Sequence, residues 1–227
     1  MEGLKLKQIA VIRTGFPEKF GIPRQSGLAP ALGRIVFEPE YRNPDALRGM
    51  EQYSHLWVIW GFSLLQEDGW RPTVRPPRLG GNRRMGVFAT RSPFRPNPIG
   101  LSCVELVGLK QTEREGQVLL VKGVDMADGS PVYDIKPYLP YVDAKPLAEG
   151  GFGEQLREKE LQVEIPKGLE EAVPEKHRET LRKILSQDPR PSYQDDEDRV
   201  YGMAYEGMEV RFQVKGKRLI VCGICRE

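Results

Sequence analysis

The chain has 227 residues, 39% of them hydrophobic, and its 34 Lys plus Arg against 32 Asp plus Glu leave a formal net charge of +2. This length fits one large domain, or a medium domain with a small one. The near balance of charge excludes a histone-like or arm-like nucleic-acid binder and leaves room for a local anion site.

Gln8 to Arg13 (QIAVIR) is apolar and β-branched and predicts an opening strand. Pro17 to Gly33 is a loop rich in turn formers. Arg34 to Glu38 (RIVFE) alternates polar with apolar residues, as a half-buried strand does. Asn43 followed by Pro44 predicts a capped short helix. Tyr53 to Leu65 (YSHLWVIWGFSLL) is the strongest strand pattern. Met85–Thr90, Leu101–Leu109 and Gln117–Val124 predict three more strands. Many strands with few helices between them indicate an antiparallel sheet that curls or closes.

The composition changes near residue 145, giving an expected division into 1–145 and 146–227, with Ala144 to Gly153 as linker. Pro174 to Ser186 predicts an amphipathic helix with Leu181, Ile184 and Leu185 on one stripe. Val210–Val214 and Arg218–Cys222 predict a hairpin around Gly216. The second part is therefore a small α+β unit.

The segment WRPTVRPPRLGGNRRMGVFATRSPFRPNPIG, Trp70 to Gly100, carries seven arginines and no lysine or acidic residue. Arginine set among prolines and glycines suggests rigid guanidinium forks that meet phosphate or carboxylate. A solvated charged loop is the plainer alternative. GxxxxGK[ST] and GxGxxG after a strand are both missing, so a nucleotide cofactor would not be held in the doubly wound way. His55 lies inside the aromatic strand, where packing competes with function. His177 sits beside Lys176 and Arg178 and is expected to be solvated. The pair Cys222 and Cys225 is expected to be packing, and no metal site is anticipated. Three cysteines make no disulfide framework, and with no signal-peptide core in MEGLKLKQIAVIRTGF the expectation is cytoplasmic. No apolar run is long enough to span a bilayer.

Four segments combine polar groups with turn residues, as binding loops do: Ile22–Gln25, Tyr53–Trp57, Thr90–Ser102 and Met126–Pro140. Asp134, Lys136 and Tyr138 alternate, so an extended chain puts them on one face. A carboxylate, amine and phenol there could order a substrate or assist proton transfer. A surface salt-bridge row fits the same spacing.

YSHLW, RPPRLGG with MGVFATRSPFRPNPIG, D-x-x-DGSPVYDIKPYLP (Asp125 to Pro140), IPRQ and QDPRPSY together resemble the TsaA-like (TrmO) family of tRNA methyltransferases. The resemblance implies a single-sheeted β-barrel that binds S-adenosyl-L-methionine, a homodimer, and methylation of N6-threonylcarbamoyladenosine beside the anticodon of tRNA. It implies that Pro23, Arg24, Gln25, His55, Leu56, Arg91, Leu101, Asp128, Gly129, Ser130 and Pro131 line the cofactor. Within it, Asp134 is the candidate base, with Lys136 and Tyr138 positioning the acceptor. The arginine segment gains a polyanionic partner, with Arg75, Arg78, Arg83 and Arg84, and Tyr193 of the second part, as expected RNA contacts. A barrel methyltransferase with another acceptor and a non-catalytic RNA-binding barrel remain alternatives at this point.

Overall fold

A computed structural model of the chain describes residues 3, 5–65, 69–76, 83–156, 160–190 and 196–226. Six strands build the first unit: β1 (Ala10–Thr14), β2 (Leu32–Phe37), β3 (His55–Gly61), β6 (Ile99–Thr112), β7 (Gly116–Lys122) and β8 (Pro131–Pro137). They pair in the order β1-β2-β7-β6-β3-β8, and β8 returns to β1, so the sheet closes on itself. Every pairing in this ring is antiparallel. Closure removes the exposed edges of an open sheet.

The period-two patterns decide what fills the interior. Ile12, Ile35, Leu56, Val58, Val104, Leu119, Val121 and Val132 are buried, none more than 1% exposed. Trp60 and Ser102 also point inward, and the Trp60 indole donates to Ser102 Oγ at 2.9 Å. Gly100 makes room for that ring: a Cβ there would stand 2.2 Å from Trp60 Cε2.

Antiparallel order puts three long connections at one end of the ring. They run over 15–31, 62–98 and 123–130. The second carries a two-stranded ribbon, β4 (Thr73–Val74) on β5 (Met85–Gly86). The strand expected over Met85–Thr90 is therefore only two residues long. It gives way to a 3-10 turn at Val87–Ala89. The short helix after Asn43 is a 3-10 turn at Pro44–Leu47, capped by the Asn43 side chain at 3.0 Å from the Asp45 amide. Met126 to Pro140, expected as a loop, contains all of β8. Pro131 is tolerated because it begins the strand.

The second sheet has the order β10-β11-β12-β9. Its strands are β9 (Gln162–Glu164), β10 (Tyr201–Tyr205), β11 (Met208–Lys215) and β12 (Arg218–Arg226). Among the described residues the α-helices are α1 (Pro140–Asp143), α2 (Lys167–Ala172) and α3 (Glu175–Ser186). The connection 15–31 is the seam between the sheets. Phe16 is fully buried 5.4 Å from the Tyr205 ring, and the Glu206 amide donates to the Gly15 carbonyl at 2.9 Å. His177, expected in solvent, is 7% exposed. It stands edge-on to Tyr205 with centroids 5.9 Å apart, because α3 turns it into the seam.

Cys222 and Cys225 are exposed, contrary to the packing expected of them. The register slips at Arg211/Phe212, where Val221 faces Phe212 and Gly223 faces Arg211, so Cys222 has no opposite residue. Cys222 follows the inward Val221 and so falls on the outer face, and the bulge shifts the phase beyond it, so that Ile224 lies opposite Val210 and Cys225 lies opposite Glu209 on the outer face.

Candidate active site

Two polar groupings form where the sequence motifs meet. The first lies at the ring end that carries the long connections. Arg91, exposed, donates from Nη1 to Gln25 Oε1. Ser26 follows Gln25, and its Oγ accepts the Cys103 amide at 3.2 Å. The Ser26 amide donates to the carboxylate of Asp125. Asp125 Oδ1 also accepts the Ser102 hydroxyl at 2.6 Å, which extends the chain of bonds to the Trp60 indole. Burial is the main influence on Asp125 and pushes its carboxyl up to about 6. The bonds from Ser102 and Ser26 and the Arg91 charge oppose that rise. Asp125 opens the D-x-x-DGSPVYDIKPYLP motif, but its role is not legible there, because its partners lie 23 and 99 positions upstream.

Of the other candidates near this end, Pro23 is buried and Arg24 reaches the turn that follows α3, donating to the Asp188 carbonyl at 3.0 Å. Asp128 accepts the Thr14 amide at 3.0 Å and lies 3.4 Å from Arg13. Gly129 donates to the Ile12 carbonyl at 2.8 Å, Ser130 is fully buried with its hydroxyl 3.0 Å from Ser63, and Pro131 pairs with Val11. The DGSP turn is thus bound to β1, and its side chains are largely committed to holding the ring end.

The second grouping covers the outer wall formed by β8, β3 and β6. A bulge opposite Ile59/Trp60 leaves Tyr133 between the paired residues Val132 and Asp134. Val132 then faces inward while Asp134 and Lys136 face outward. The registers align Asp134 with Ile59 and Leu101, and Lys136 with Trp57 and Cys103. Tyr138 donates its amide to the His55 carbonyl at 3.0 Å, and its ring lies 6.1 Å from the imidazole. Asp134 Oδ2 pairs with Lys136 Nζ at 2.9 Å while Oδ1 takes the Ile135 amide. The predicted trio therefore shares a face, and His55 and Leu101 share it too. Leu101 is 55% exposed. Leu56, by contrast, is fully buried inside the ring and offers only its backbone to a ligand on this wall.

Trp57 is fixed on the same wall by Asp143, which accepts its indole at 3.0 Å and the Leu139 amide at 2.8 Å. The Leu139 bond first and the Trp57 bond second hold the Asp143 carboxyl below its usual range. Past His55 the wall drops into a cleft of about 640 Å³ between the two sheets. Gly27, His55, Cys103 and Lys122 border it on one side, Glu160 and Lys183 on the other. That volume lies within the ordinary range of small-molecule sites.

The arginines of the Trp70–Gly100 segment divide by task. Arg95 donates to the carbonyls of Val87 and Thr90 at 3.1 and 2.7 Å and lies over the Phe88 ring. Arg71 lies over Phe94, 4.9 Å from its centroid. These two fold the connection. Arg75, Arg83 and Arg84 are exposed where chain enters and leaves the β4–β5 ribbon. Arg78 and Tyr193 lie outside the described residues. Among the described residues no group of three or more His, Cys, Asp or Glu could hold a metal ion, and no helix is long and apolar enough to cross a membrane.

Known proteins resemble this chain in sequence and fold. The model of the tRNA-methyltransferase O N-terminal domain matches residues 11–144, and that of the TrmO C-terminal domain matches residues 158–227. A tRNA (adenine(37)-N6)-methyltransferase from Escherichia coli is 43% identical over 223 residues, covering 94% of each chain. One from Eikenella corrodens is 50% identical over 171 residues, 74% of this chain and 95% of its own. A crystal structure of TrmO from P. aeruginosa aligns with a TM-score of 0.80 at 33% identity, over 100% of this chain and 99% of that one. The chain belongs to the tRNA-methyltransferase O family.

Proposed function

We propose that the protein is an S-adenosyl-L-methionine-dependent tRNA methyltransferase acting on N6 of adenine 37, with N6-threonylcarbamoyladenosine as the acceptor base. The names of its relatives support the reaction. The observation that carries the proposal is the outer wall, where Asp134, Lys136 and Tyr138 lie on the same face as His55 and Leu101.

The residues at the ring end fit the donor. Gly27 has a φ of +78°, and a Cβ added there would meet nothing within 4 Å, so a ligand can approach the backbone. Arg91 supplies donors for a carboxylate, and Leu101 supplies exposed apolar surface for a ring. Gln25, Arg91, His55 and Leu101 would hold the donor, with the backbone of Ser26 and Leu56; Pro23, Arg24 and the turn Asp128–Pro131 would support them from behind. S-adenosyl-L-methionine, when bound, supplies an activated methyl group. The protein's part is then alignment and charge placement.

The acceptor nitrogen of a ureido group is weakly nucleophilic because its lone pair is delocalised. Asp134 takes its proton, and Lys136, 2.9 Å away, keeps that carboxylate in place and faces the acceptor's anionic end. Tyr138 orders the acceptor from the neighbouring row. Arg75, Arg83 and Arg84, with Arg78 and Tyr193, meet the RNA around the anticodon loop. The proposed division of the chain remains 1–145 for the catalytic unit and 146–227 for the small one. A homodimer is proposed on the apolar surface that the ring exposes at Ile99 and Val107. The three free cysteines favour a cytoplasmic setting.

The test incubates the protein and methyl-labelled donor with tRNA that carries the threonylcarbamoyl group and tRNA that lacks it. Label should enter only the first. Label in both would reassign the acceptor, and label in neither would remove the reaction. Asp134→Asn should lower turnover about 100-fold with donor affinity unchanged; normal turnover would remove Asp134 as base.

A further inference from the structure

Asp125 and Arg91 bring opposite charges to the same turn at the ring end, Arg91 through Gln25 and Asp125 through Ser26. Asp125 is built into the fold on one edge: Ser102 and the Ser26 amide each occupy part of its acceptor capacity. A carboxylate has about four lone-pair sites, and part of the residue still meets solvent. Burial raises its carboxyl to about 6, which leaves it ionised at neutral pH. Arg91 is exposed, and its planar fork carries five donors, of which Gln25 receives one. Both charges border Gln25 and Ser26, consecutive residues of one turn. A carboxylate and a guanidinium on either side of one turn complement a zwitterion, whereas a sulfonium alone would be repelled by Arg91 as much as it is drawn by Asp125.

We propose that this pair recognises the α-amino-acid end of the methyl donor, with Arg91 on its carboxylate and Asp125 on its ammonium group. Asp125 is then a cofactor-binding residue in addition to those the resemblance implies. The inference rests on the donor assignment made under Proposed function and sharpens it. It also gives the largely buried charge beside Ser102 a task, since a neutral side chain would satisfy Ser102 equally well.

The test titrates the full chain calorimetrically with three ligands: S-adenosyl-L-methionine, S-adenosyl-L-homocysteine, and 5′-methylthioadenosine, which lacks the amino-acid end. Asp125→Asn, which keeps both internal hydrogen bonds, should weaken the first two at least tenfold and leave the third within twofold. Equal weakening of all three would mean that Asp125 only supports the fold and would overturn the proposal. Weakening of S-adenosyl-L-methionine alone would place the carboxylate at the sulfonium and overturn it as well, as would no weakening. Asp125→Glu, which moves the charge by one methylene, should give the same ordering and serves if Asp125→Asn does not fold. A wild-type chain that binds 5′-methylthioadenosine but neither larger ligand would overturn this inference alone. One that binds none of them would remove the donor assignment itself.

Discussion

The Arg24 guanidinium spans the seam between the two sheets and donates to the carbonyls of Asp188 and Arg190, at 3.0 and 3.3 Å. The turn it grips is held in an unusual shape, since Asp188 has a φ of 51°, a left-handed conformation for a residue with a side chain. A motif residue of the candidate donor loop thereby fixes the exit of α3. Arg24→Ala should lower stability by about 2 kcal/mol in urea unfolding, because two charge-assisted bonds are lost. Arg24→Lys should recover less than half, since a point charge does not reproduce the fork. Full recovery by lysine would mean that net charge, and not geometry, holds the turn.

The inward Trp60 ring occupies the volume a side chain at position 100 would need. Gly100→Ala should destabilise the protein by about 1–3 kcal/mol through overpacking. It should also break the Trp60–Ser102–Asp125 chain, visible as a change in tryptophan emission. Gly108→Ala, in the same strand but with nothing within 4 Å of the added carbon, should stay within about 0.5 kcal/mol of wild type. Equal effects from the two would show that the ring can move aside.

Asp125 sets a pH dependence of known sign. Its carboxyl holds a proton up to about pH 6 in the folded chain, against a reference of 3.8, with Arg91 as the charge that opposes the rise. The folded state therefore binds more protons in that window. The stabilisation is complete below about 3.8 and is lost as pH rises through 6, by up to about 3 kcal/mol. Asp125→Asn lacks this term, so its stability should gain on wild type between pH 4 and pH 8. Parallel unfolding curves for the two proteins across that range would contradict the assignment.

The arginines of the connection should separate in solution as they do in space. Ala at Arg75, Arg83 and Arg84 together should reduce the logarithmic salt slope of tRNA binding by about two to three, near one per phosphate contact. Affinity for the methyl donor should not change. Arg95→Ala should instead loosen the connection, because two carbonyls lose their donor, and protease sensitivity there should rise. An unchanged salt slope in the triple variant would move the RNA to another face.

Much of the first sheet is legible in the sequence because alternation is a local property. Leu56, Val58 and Trp60 declare an inward face without reference to their partners, and the outward set of Asp134, Lys136 and Tyr138 follows from the same period. What depends on distant partners is not legible. His177 sits among charged neighbours on α3, and only Tyr205, 28 positions later, makes it a buried residue. Cys225 continues the inward alternation of Leu219 and Val221, and only the slipped register opposite Arg211 turns it outward beside Glu209. Tyr201, Met203 and Tyr205 do carry an alternating signal, but the polar run before them conceals a strand start. The importance of Asp125 comes from Ser26, Ser102 and Arg91, three residues on separate segments that only the closed sheet brings together.

One apolar cluster runs from Ala10 through Phe16 and Tyr205 to Val221 without a break between the sheets. Neither half carries a finished surface of its own. Cutting the chain near residue 150 would uncover Phe16 and Phe20 on one fragment and Tyr205 and Phe212 on the other, so each piece should aggregate when expressed alone. Heating the intact chain should give a single cooperative melt, with both halves lost together.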